Sequence, residues 1–200
     1  MTSSLPAGLR ERKKAKTRAA IRDHAIRLFE EQGYAATTVD QIAEAAEVSQ
    51  STFFRYFPTK DDVILTDDYD PLIVEAIKAQ PPECTPVRAL LEGMRSVFLN
   101  LTPEEWETDR RRQRIYQTAP ELRARAMNQT VSAVDMLAAA LADRDGEPAD
   151  GLLYRVIAGA MVGVVLAVAP PGGTNGGFGP AEFARVEDAL RLLEEQFRLR

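Results

Sequence analysis

The 200-residue sequence has few of the side chains on which metal sites, disulfides and enzyme active sites depend. It contains one cysteine, Cys84, and one histidine, His24. A single cysteine cannot form an intramolecular disulfide, and one cysteine with one histidine cannot supply the ligand set of a structural zinc site. A lone histidine without a neighbouring nucleophile gives no basis for catalysis. We therefore expect no metal, no cofactor and no enzymatic activity.

Long apolar segments are also missing. The longest uncharged apolar run covers 14 residues, from Val156 to Ala169. A membrane-spanning helix needs about 18–20 such residues, so this run predicts a buried helix instead. The first residues are polar and charged, without the apolar stretch of a signal peptide. These features predict a cytoplasmic protein without a membrane partner.

Positive charge is in deficit over the whole chain, but it is unevenly distributed. The formal net charge is −5, which taken alone argues against a polyanionic partner. Residues 1–22, however, contain seven basic side chains and one acidic one, whereas residues 61–200 contain 15 basic and 23 acidic ones. This asymmetry predicts two parts with different partners. We expect one domain over residues 1–60 and a second over residues 61–200.

The spacing of apolar residues follows the helical period nearly everywhere, and no segment shows the alternation of a convincing strand. The sequence therefore predicts an all-α fold of about nine helices. The first should end at Gly33, and a fourth that passes through Ile64 should break or bend at Pro71. A flexible Gly- and Pro-rich loop is expected over 170–180. Other expected bounds are about 10–32 for the first helix and 86–100, 103–117, 120–142, 151–169 and 181–198 for the last five.

Two short helices in the N-terminal part are each preceded by a capping signal. Thr38-Val39-Asp40-Gln41 fits a capping box, and Ser49 can cap the next helix, which is expected from Gln50 to Phe57. A turn of about three residues separates them. Two capped helices joined by a short turn and preceded by a basic helix are typical of a helix-turn-helix DNA-binding motif, here over about 38–57.

The second helix of this motif is expected to have two different faces. Phe53 and Phe57 share one side and should pack into the domain, while polar side chains and two further aromatic residues face outward. Outward side chains on a recognition helix can reach base edges and phosphates, and the lysines of the first helix add positive charge. The residues predicted to contact DNA on these grounds are Gln50, Ser51, Thr52, Phe54, Arg55, Tyr56, Lys13 and Lys14.

The stretch TTVDQIAEAAEVSQSTFFRYFPTKDDVI, which begins at Thr37, resembles the N-terminal domain of the tetracycline-repressor (TetR) family. The resemblance covers residues 12–65 and includes the pattern F-x-x-x-G-Y-x-x-T-T-V that begins at Phe29. It implies that Thr38 and Lys60 bind backbone phosphate, the lysine from the N-terminus of a helix.

Two positions depart from the family's usual pattern. Glu47 stands in the turn where glycine is common, so a residue with a β-carbon is expected to adopt a left-handed conformation. Phe54 replaces the usual tyrosine, which removes a hydroxyl and favours apolar contact with the groove. Both changes concern the choice of operator sequence rather than membership of the family.

The resemblance implies a homodimeric repressor whose first three helices bind DNA and whose remainder binds a small molecule. The segment RRRQRIYQTAPELRARA, from Arg110, is similar to C-terminal domains of actinobacterial members. Because acidic residues precede these arginines, we interpret them as solvent-exposed. The aromatic and Met side chains of the C-terminal helices fit either packed core or a cavity for an apolar or amphipathic effector. The candidate cavity residues are Met94, Phe98, Trp106, Tyr116, Met127 and Tyr154.

Two late helices have surfaces suited to dimerisation. The helix over 151–169 is apolar nearly all round and contains small residues, and the helix over 181–198 carries an apolar stripe. With their copies from a second subunit they would form a four-helix bundle. An alternative function is an effector-independent DNA-binding dimer whose C-terminal domain serves only dimerisation. The candidate interface residues are Ala158, Gly159, Gly163, Val186, Leu190 and Leu193.

Overall fold

The computed structural model describes residues 7–66, 69–148, 151–168 and 180–196. These residues form ten α-helices and no strand, which confirms the predicted all-α fold. In chain order the helices are α1 (Ala7–Gln32), α2 (Val39–Ala45), α3 (Gln50–Tyr56), α4 (Asp62–Leu65), α5 (Asp70–Lys78), α6 (Pro86–Phe98), α7 (Pro103–Thr118), α8 (Pro120–Asp145), α9 (Leu152–Val168) and α10 (Pro180–Gln196).

The capping signals of the first helices operate as predicted. Gly33 follows α1 with a φ of 87°, a left-handed conformation that glycine adopts without steric cost. Before α2, Thr38 Oγ1 accepts a hydrogen bond from the Gln41 backbone N–H, and Gln41 Oε1 accepts one from the Thr38 N–H. Ser49 Oγ accepts from the Thr52 N–H at 3.1 Å and caps α3. These contacts satisfy N–H groups that have no partner within the helix.

The predicted fourth helix, expected to break or bend at Pro71, breaks into two helices. α4 ends at Leu65, and Pro71 lies in the first turn of α5, so the break precedes the proline. Proline is tolerated there because the N–H it lacks has no intrahelical partner in the first turn. This division accounts for the tenth helix.

Two clusters of buried apolar side chains form the interior. The first joins α1–α4 to Ile115 of α7, Leu122 of α8 and Ala119 between these two helices. The second joins α5, α6, α8, α9 and α10. Because Val63 and Ile64 belong to the first cluster, this core contains residues from both sides of position 60. The division into domains at that position remains a prediction.

Residues 169–179 lie outside the described part of the chain, so the flexible loop predicted over 170–180 is not described apart from its last residue. No helix within the described residues is both long enough and apolar enough to cross a membrane. Among the same residues, no group of His, Cys, Asp and Glu side chains is arranged to hold a metal ion.

Candidate nucleic-acid interface and internal cavity

Helix α3 presents the two faces that its sequence predicts. Phe53 and Phe57 are fully buried at 0% exposure, whereas Phe54 is 48% exposed. The rings of Phe53 and Phe54 contact each other edge to face, with centroids 5.5 Å apart. The buried pair anchors the helix in the first core, and the outward ring is left available to a partner.

A groove of about 890 Å³ lies between the N-terminal half of α1 and α3. Of the eight described residues that line it, four are basic and none is acidic. It brings together five of the residues predicted to contact DNA, from two helices that are far apart in sequence. A concave surface with a single sign of charge concentrates the electrostatic potential that attracts a phosphate backbone. The lining residues are Arg10, Lys13, Lys14, Thr17, Val48, Thr52, Arg55 and Tyr56.

The polar residues at the start of α3 are exposed or, for Thr52, half-buried, and they have partners within the protein. The Gln50 side-chain amide donates a hydrogen bond to the Asp40 carboxylate. The hydroxyls of Ser51 and Thr52 each lie 2.9 Å from Ser49 Oγ. These contacts hold the side chains in place before a ligand arrives, and a base or phosphate would share or replace them.

Lys60 lies among backbone carbonyls rather than at an open helix N-terminus. Its Nζ donates to the carbonyl oxygens of Tyr34 (2.8 Å) and Thr37 (2.9 Å), and it lies 4.1 Å from the Tyr34 ring centroid. Burial lowers the pKa of Lys60 below its ordinary value, although Asp61 acts in the opposite direction. Lys60 therefore holds the segment before α2, with only one N–H left for a phosphate. The Thr38 side chain, by contrast, is exposed at the start of α2.

Two basic residues of α1 point into the protein. The Arg18 guanidinium lies 4.2 Å from the Phe57 ring centroid and donates to the carbonyl oxygen of Tyr56. Arg22 is 7% exposed, and its Nε donates to the carbonyl oxygen of Val63 at 3.2 Å. Both arginines connect α1 to the end of α3 and to α4. Part of the positive charge of the N-terminal segment therefore serves to hold the helices together. The basic residues of α1 that line the groove lie nearer its N-terminus.

Ion pairs link the N-terminal helices to α7 and α8. Asp61, just before α4, accepts hydrogen bonds from the Tyr34 hydroxyl and from Arg125 of α8. Burial acts to raise the pKa of Asp61, but these two hydrogen bonds outweigh it and lower the pKa. On α1, Glu30 accepts two hydrogen bonds from the Arg111 guanidinium of α7, at 3.0 and 2.6 Å. The pairing of a guanidinium fork with a carboxylate fixes orientation as well as distance.

A cavity of about 600 Å³ lies among α4, α5, α6, α7, α8 and α9. Its lining is mainly aliphatic, aromatic and thioether, and it includes three of the predicted cavity residues, Met94, Phe98 and Tyr116. The volume is within the range of about 300–1,000 Å³ that is usual for small-molecule sites. Ile64 and Leu65 of α4 also line this cavity, so the helix next to the DNA-binding motif forms part of its wall.

Two of the other predicted cavity residues, Trp106 and Tyr154, lie elsewhere. The Trp106 ring packs against the cavity residue Phe98 with centroids 6.3 Å apart, but Trp106 does not line the cavity. Tyr154 is buried in the second core, and its hydroxyl donates to Asp145 at 3.0 Å. The side chain of Met127 lies outside the described part of the structure.

Arg112 lines the cavity, although the arginines of α7 were expected to face solvent. Arg110 and Arg114 do so and contact Glu107, whereas Arg112 is 9% exposed. The prediction is therefore wrong for this residue. The sequence did indicate that Arg112 faces inward, because residues 109, 112 and 116 lie on one face of the helix and the last of them is the aromatic Tyr116.

Two of the predicted dimer-interface residues are buried within the chain itself. Ala158 is 0% and Val186 is 1% exposed, and both belong to the second core. They cannot contact another subunit unless that core opens, so their assignment to the interface is wrong. Leu190 packs partly against the same core, and Leu193 is more exposed.

The outward side of α9 is apolar. Leu152, Val156 and Leu166 are exposed, and Leu152 is 76% exposed. They share a helix face with Gly159 and Gly163, because positions 152, 156, 159, 163 and 166 recur at intervals of three or four residues. A β-carbon built at either glycine meets nothing within 4 Å. The three large residues of this stripe were missed because an all-apolar helix does not indicate which side faces its own core.

Two family models match the chain. Residues 21–66 match the model described as bacterial regulatory proteins of the tetR family, and residues 84–198 match the MftR C-terminal domain. The second match alone covers more than half of the chain. The chain belongs to the TetR family. This TetR-family protein is therefore a transcriptional regulator with a helix-turn-helix for DNA binding.

Two curated relatives of this TetR-family regulator come from actinobacteria. It is 34% identical over 150 residues to the HTH-type transcriptional regulator TcmR of Streptomyces glaucescens, and the match covers 72% of this chain and 66% of TcmR. It is 28% identical over 156 residues to the putative mycofactocin biosynthesis transcriptional regulator MftR of Mycobacterium tuberculosis, with 78% and 79% covered. The chain thus spans just under two thirds of the length of TcmR. These relatives are transcriptional regulators rather than enzymes.

A solved structure has the same fold. The regulator superimposes on FadR of Thermus thermophilus, a TetR-family transcriptional repressor crystallised in complex with lauroyl-CoA, with a TM-score of 0.53 and 25% identity. The match covers 92% of this chain and 96% of that one. The correspondence therefore extends through the DNA-binding helices and the C-terminal helices alike.

Proposed function

We propose that this regulator is a homodimeric repressor that binds a near-palindromic DNA operator and is released by a small apolar or amphipathic effector. The observation that supports this most strongly is the position of α4. Its residues Val63 and Ile64 belong to the DNA-binding core, while Ile64 and Leu65 line the cavity. A molecule in the cavity therefore contacts α4, the helix that packs against the helix-turn-helix. It can bias the protein toward a conformation that binds DNA poorly.

The DNA-binding surface in this proposal is the groove between α1 and α3 together with the exposed start of α2. Lys13 and Lys14 bind phosphates, the exposed ring of Phe54 contacts a thymine methyl or a sugar, and Arg55 reaches base edges or the backbone. Lys60 contributes one remaining donor and chiefly supports the loop. The full set of proposed contacts is Lys13, Lys14, Thr38, Gln50, Ser51, Thr52, Phe54, Arg55, Tyr56 and Lys60.

Footprinting on the gene's own upstream region tests the operator. Two protected half-sites are expected with centres about 34–36 Å apart, or a multiple of that distance, because two recognition helices must reach the same face of the duplex. Operator affinity should fall steeply with salt, since each neutralised phosphate adds roughly −0.9 to the slope of log K against log salt concentration. A single unpaired half-site contradicts the proposal.

The Arg55→Ala variant tests base reading. If Arg55 contacts a guanine, the variant loses roughly 1–3 kcal/mol of discrimination at one operator position. If it contacts only phosphate, binding weakens equally on all sequences. Arg27→Ala is the matched control, because Arg27 is exposed on α1, pairs with Glu31 and lies outside the groove. Equal behaviour of the two variants counts against the proposed surface.

The dimer interface in this proposal is the outward stripe of α9 with the exposed part of α10, including Gly159, Gly163, Leu190 and Leu193. Val156→Arg should shift the protein from dimer to monomer in light scattering, because a desolvated charge at the centre of an apolar interface has no partner. Leu72→Arg on α5 is the control, since Leu72 is as exposed as Val156 and lies on a different helix. A dimer that survives Val156→Arg refutes this interface.

The effector site is the cavity. The bound lauroyl-CoA of FadR supports an amphipathic ligand, because that repressor has the same fold. Thermal shift against lipids, acyl thioesters and aromatic drugs, followed by operator release in a gel-shift assay, tests the site. If a ligand raises the melting temperature but none releases DNA, the alternative of an effector-independent DNA-binding dimer is the better description.

A further inference from the structure

The cavity reaches the protein surface between α8 and α9. Among its described lining residues, Ser132 of α8 and Leu166 of α9 are the two that are exposed, and Leu166 is 59% exposed. Leu137 and Met161, from the same two helices, line the cavity but are buried. The exposed pair therefore marks the mouth of the cavity. In a single chain, this mouth leaves a large apolar side chain and an apolar interior in contact with water.

Leu166 also lies at one end of the outward stripe of α9. This stripe is symmetric about Gly159, because the large apolar residues Leu152 and Leu166 each lie seven residues, or about two helical turns, from that glycine. Both leucines are exposed, and a β-carbon built at Gly159 meets nothing within 4 Å. Read in either direction, the stripe therefore has a large apolar residue at each end and a glycine at its centre.

A symmetric stripe is suited to pairing with its own copy about a two-fold axis. In such an interface each contact occurs twice, since residue i contacts residue j of the other subunit and residue j contacts residue i. Two antiparallel α9 helices that cross at Gly159, where the backbone can be approached closely, place Leu166 opposite Leu152 of the partner subunit. TetR-family regulators act as dimers. A second copy of this chain is therefore the partner that fits the stripe.

We infer that the second subunit completes the effector cavity: Leu152 of the partner subunit lies over Leu166 and closes the mouth. The inference rests on the proposed function, because it takes the cavity as the effector site and α9 as the interface. It adds that the two sites share a wall. An apolar ligand then loses more contact with water in the dimer than in the monomer. Because such coupling is reciprocal, the ligand also tightens the dimer, and release of DNA does not proceed through monomers.

A thiol placed at the mouth tests its closure without a ligand. In Cys84→Ser, which removes the one native thiol, Ser132→Cys is treated with the aromatic disulfide reagent DTNB. At a protein concentration about 100 times the dimer Kd, it should react roughly tenfold more slowly than in the same chain with Val156→Arg, because only the small monomer fraction exposes the thiol. Val156 is 58% exposed, so its replacement leaves the core intact. Leu72→Cys, on the exposed surface of α5, should react equally in both backgrounds.

An uncharged fluorescent dye, N-phenyl-1-naphthylamine, tests the shared wall. Leu152 is not among the described lining residues of its own cavity, and it lies 14 residues, about 21 Å along the helix, from Leu166. In the dimer, Leu152→Ala should nevertheless weaken dye binding about 3- to 10-fold, because it removes apolar surface from the cavity of the other subunit. Leu153→Ala is the matched control, since Leu153 is 59% exposed on another face of α9 and should not affect the dye. In Val156→Arg monomers, neither substitution should change dye binding.

Equal thiol rates at Ser132→Cys in the dimer and in the monomer would show that the mouth stays open, which overturns the inference and leaves the dimer interface intact. Equal dye affinities of the Leu152→Ala and Leu153→Ala dimers would also overturn it. The thiol rates decide whether the mouth is closed even if the dye does not bind. A dimer that survives Val156→Arg refutes the interface of the proposed function and this inference together. Since the first two results leave footprinting and light scattering unchanged, the two kinds of failure are distinguishable.

Discussion

The two concave surfaces of this regulator are built in different ways. The groove is lined by residues between Arg10 and Tyr56, whereas the cavity draws on six helices from Ile64 to Leu166. The groove exposes its cations to solvent, and the cavity buries Arg112 beside a carboxylate. An exposed charge can be exchanged at little cost to folding, but a buried one cannot. The groove can therefore change its DNA preference more freely than the cavity can change its ligand.

A comparison within α3 should give the largest effect. Phe53→Ala removes a fully buried ring and should lower the free energy of unfolding by about 3–5 kcal/mol. Phe54→Ala removes the exposed neighbouring ring and should leave stability nearly unchanged while weakening operator binding. Urea unfolding and a gel-shift assay separate the two. If both variants lose stability equally, α3 does not have the two separate faces on which the groove depends.

A glycine in the second core should give the next effect. A β-carbon at Gly93 would lie 2.6 Å from Ile77 Cγ1 and 2.9 Å from the Ile77 backbone nitrogen. Gly93→Ala should therefore destabilise the protein by about 1–3 kcal/mol, because α5 and α6 must separate. Gly8→Ala on α1 is the control, since nothing lies within 4 Å there. Equal melting temperatures for the two variants would mean that the α5–α6 contact is looser than described.

The Asp61 contact between the two regions should have a smaller, pH-dependent effect. Since folding lowers the pKa of Asp61, its stabilisation is present above the unfolded value of about 3.9 and is lost as pH falls through the folded value. Asp61→Asn should cost roughly 1–2 kcal/mol at pH 7, and its difference from wild type should narrow progressively below about pH 4.

Urea unfolding at several pH values measures this difference. Asp135→Asn provides the control, because Asp135 pairs with Arg155 at the surface, where both side chains are about half exposed. That variant should lose only about 0–1 kcal/mol. A pH-independent difference for Asp61→Asn would show that the carboxylate charge does not stabilise the link between α8 and the helix-turn-helix.

The turn of the helix-turn-helix should give the smallest effect. Glu47 has a φ of 53°, so Glu47→Gly should relieve strain and raise stability by up to about 1 kcal/mol. Glu44→Gly within α2 should lower stability by about 1 kcal/mol, because that position is helical. The two substitutions are chemically identical, so thermal unfolding should give opposite signs. If both substitutions change stability in the same direction, the left-handed conformation of Glu47 is contradicted.

Sequence patterns predicted the parts of the fold that depend on near neighbours. The caps at Thr38 and Ser49 and the buried pair Phe53 and Phe57 follow from residues within a few positions of one another. The left-handed Glu47 was expected from the resemblance to the TetR family, whose members commonly have glycine at this position. The resemblance to the TetR family rested on the same stretch. The break near Pro71 was predicted, but its exact position was not, because a proline can end one helix or begin the next.

Contacts between distant segments could not be predicted in the same way. Lys60, Arg18 and Arg22 all carry the charge of a DNA ligand, yet they bind carbonyls or an aromatic ring contributed by other helices. Ala158 and Val186 suit an interface by composition, but they face the chain's own core. A basic or apolar side chain is compatible with several environments, and only packing selects one.

The sequence by itself determined the helical class, the DNA-binding motif and its caps, because these depend on local hydrogen bonds and on periodicity within single helices. The tertiary structure alone decided that Arg112 faces a cavity while its neighbours Arg110 and Arg111 face carboxylates on the outside. It also decided which side of α9 is exposed. These features depend on how helices rotate about their axes to bury apolar surface together, and that rotation is set by contacts with other helices.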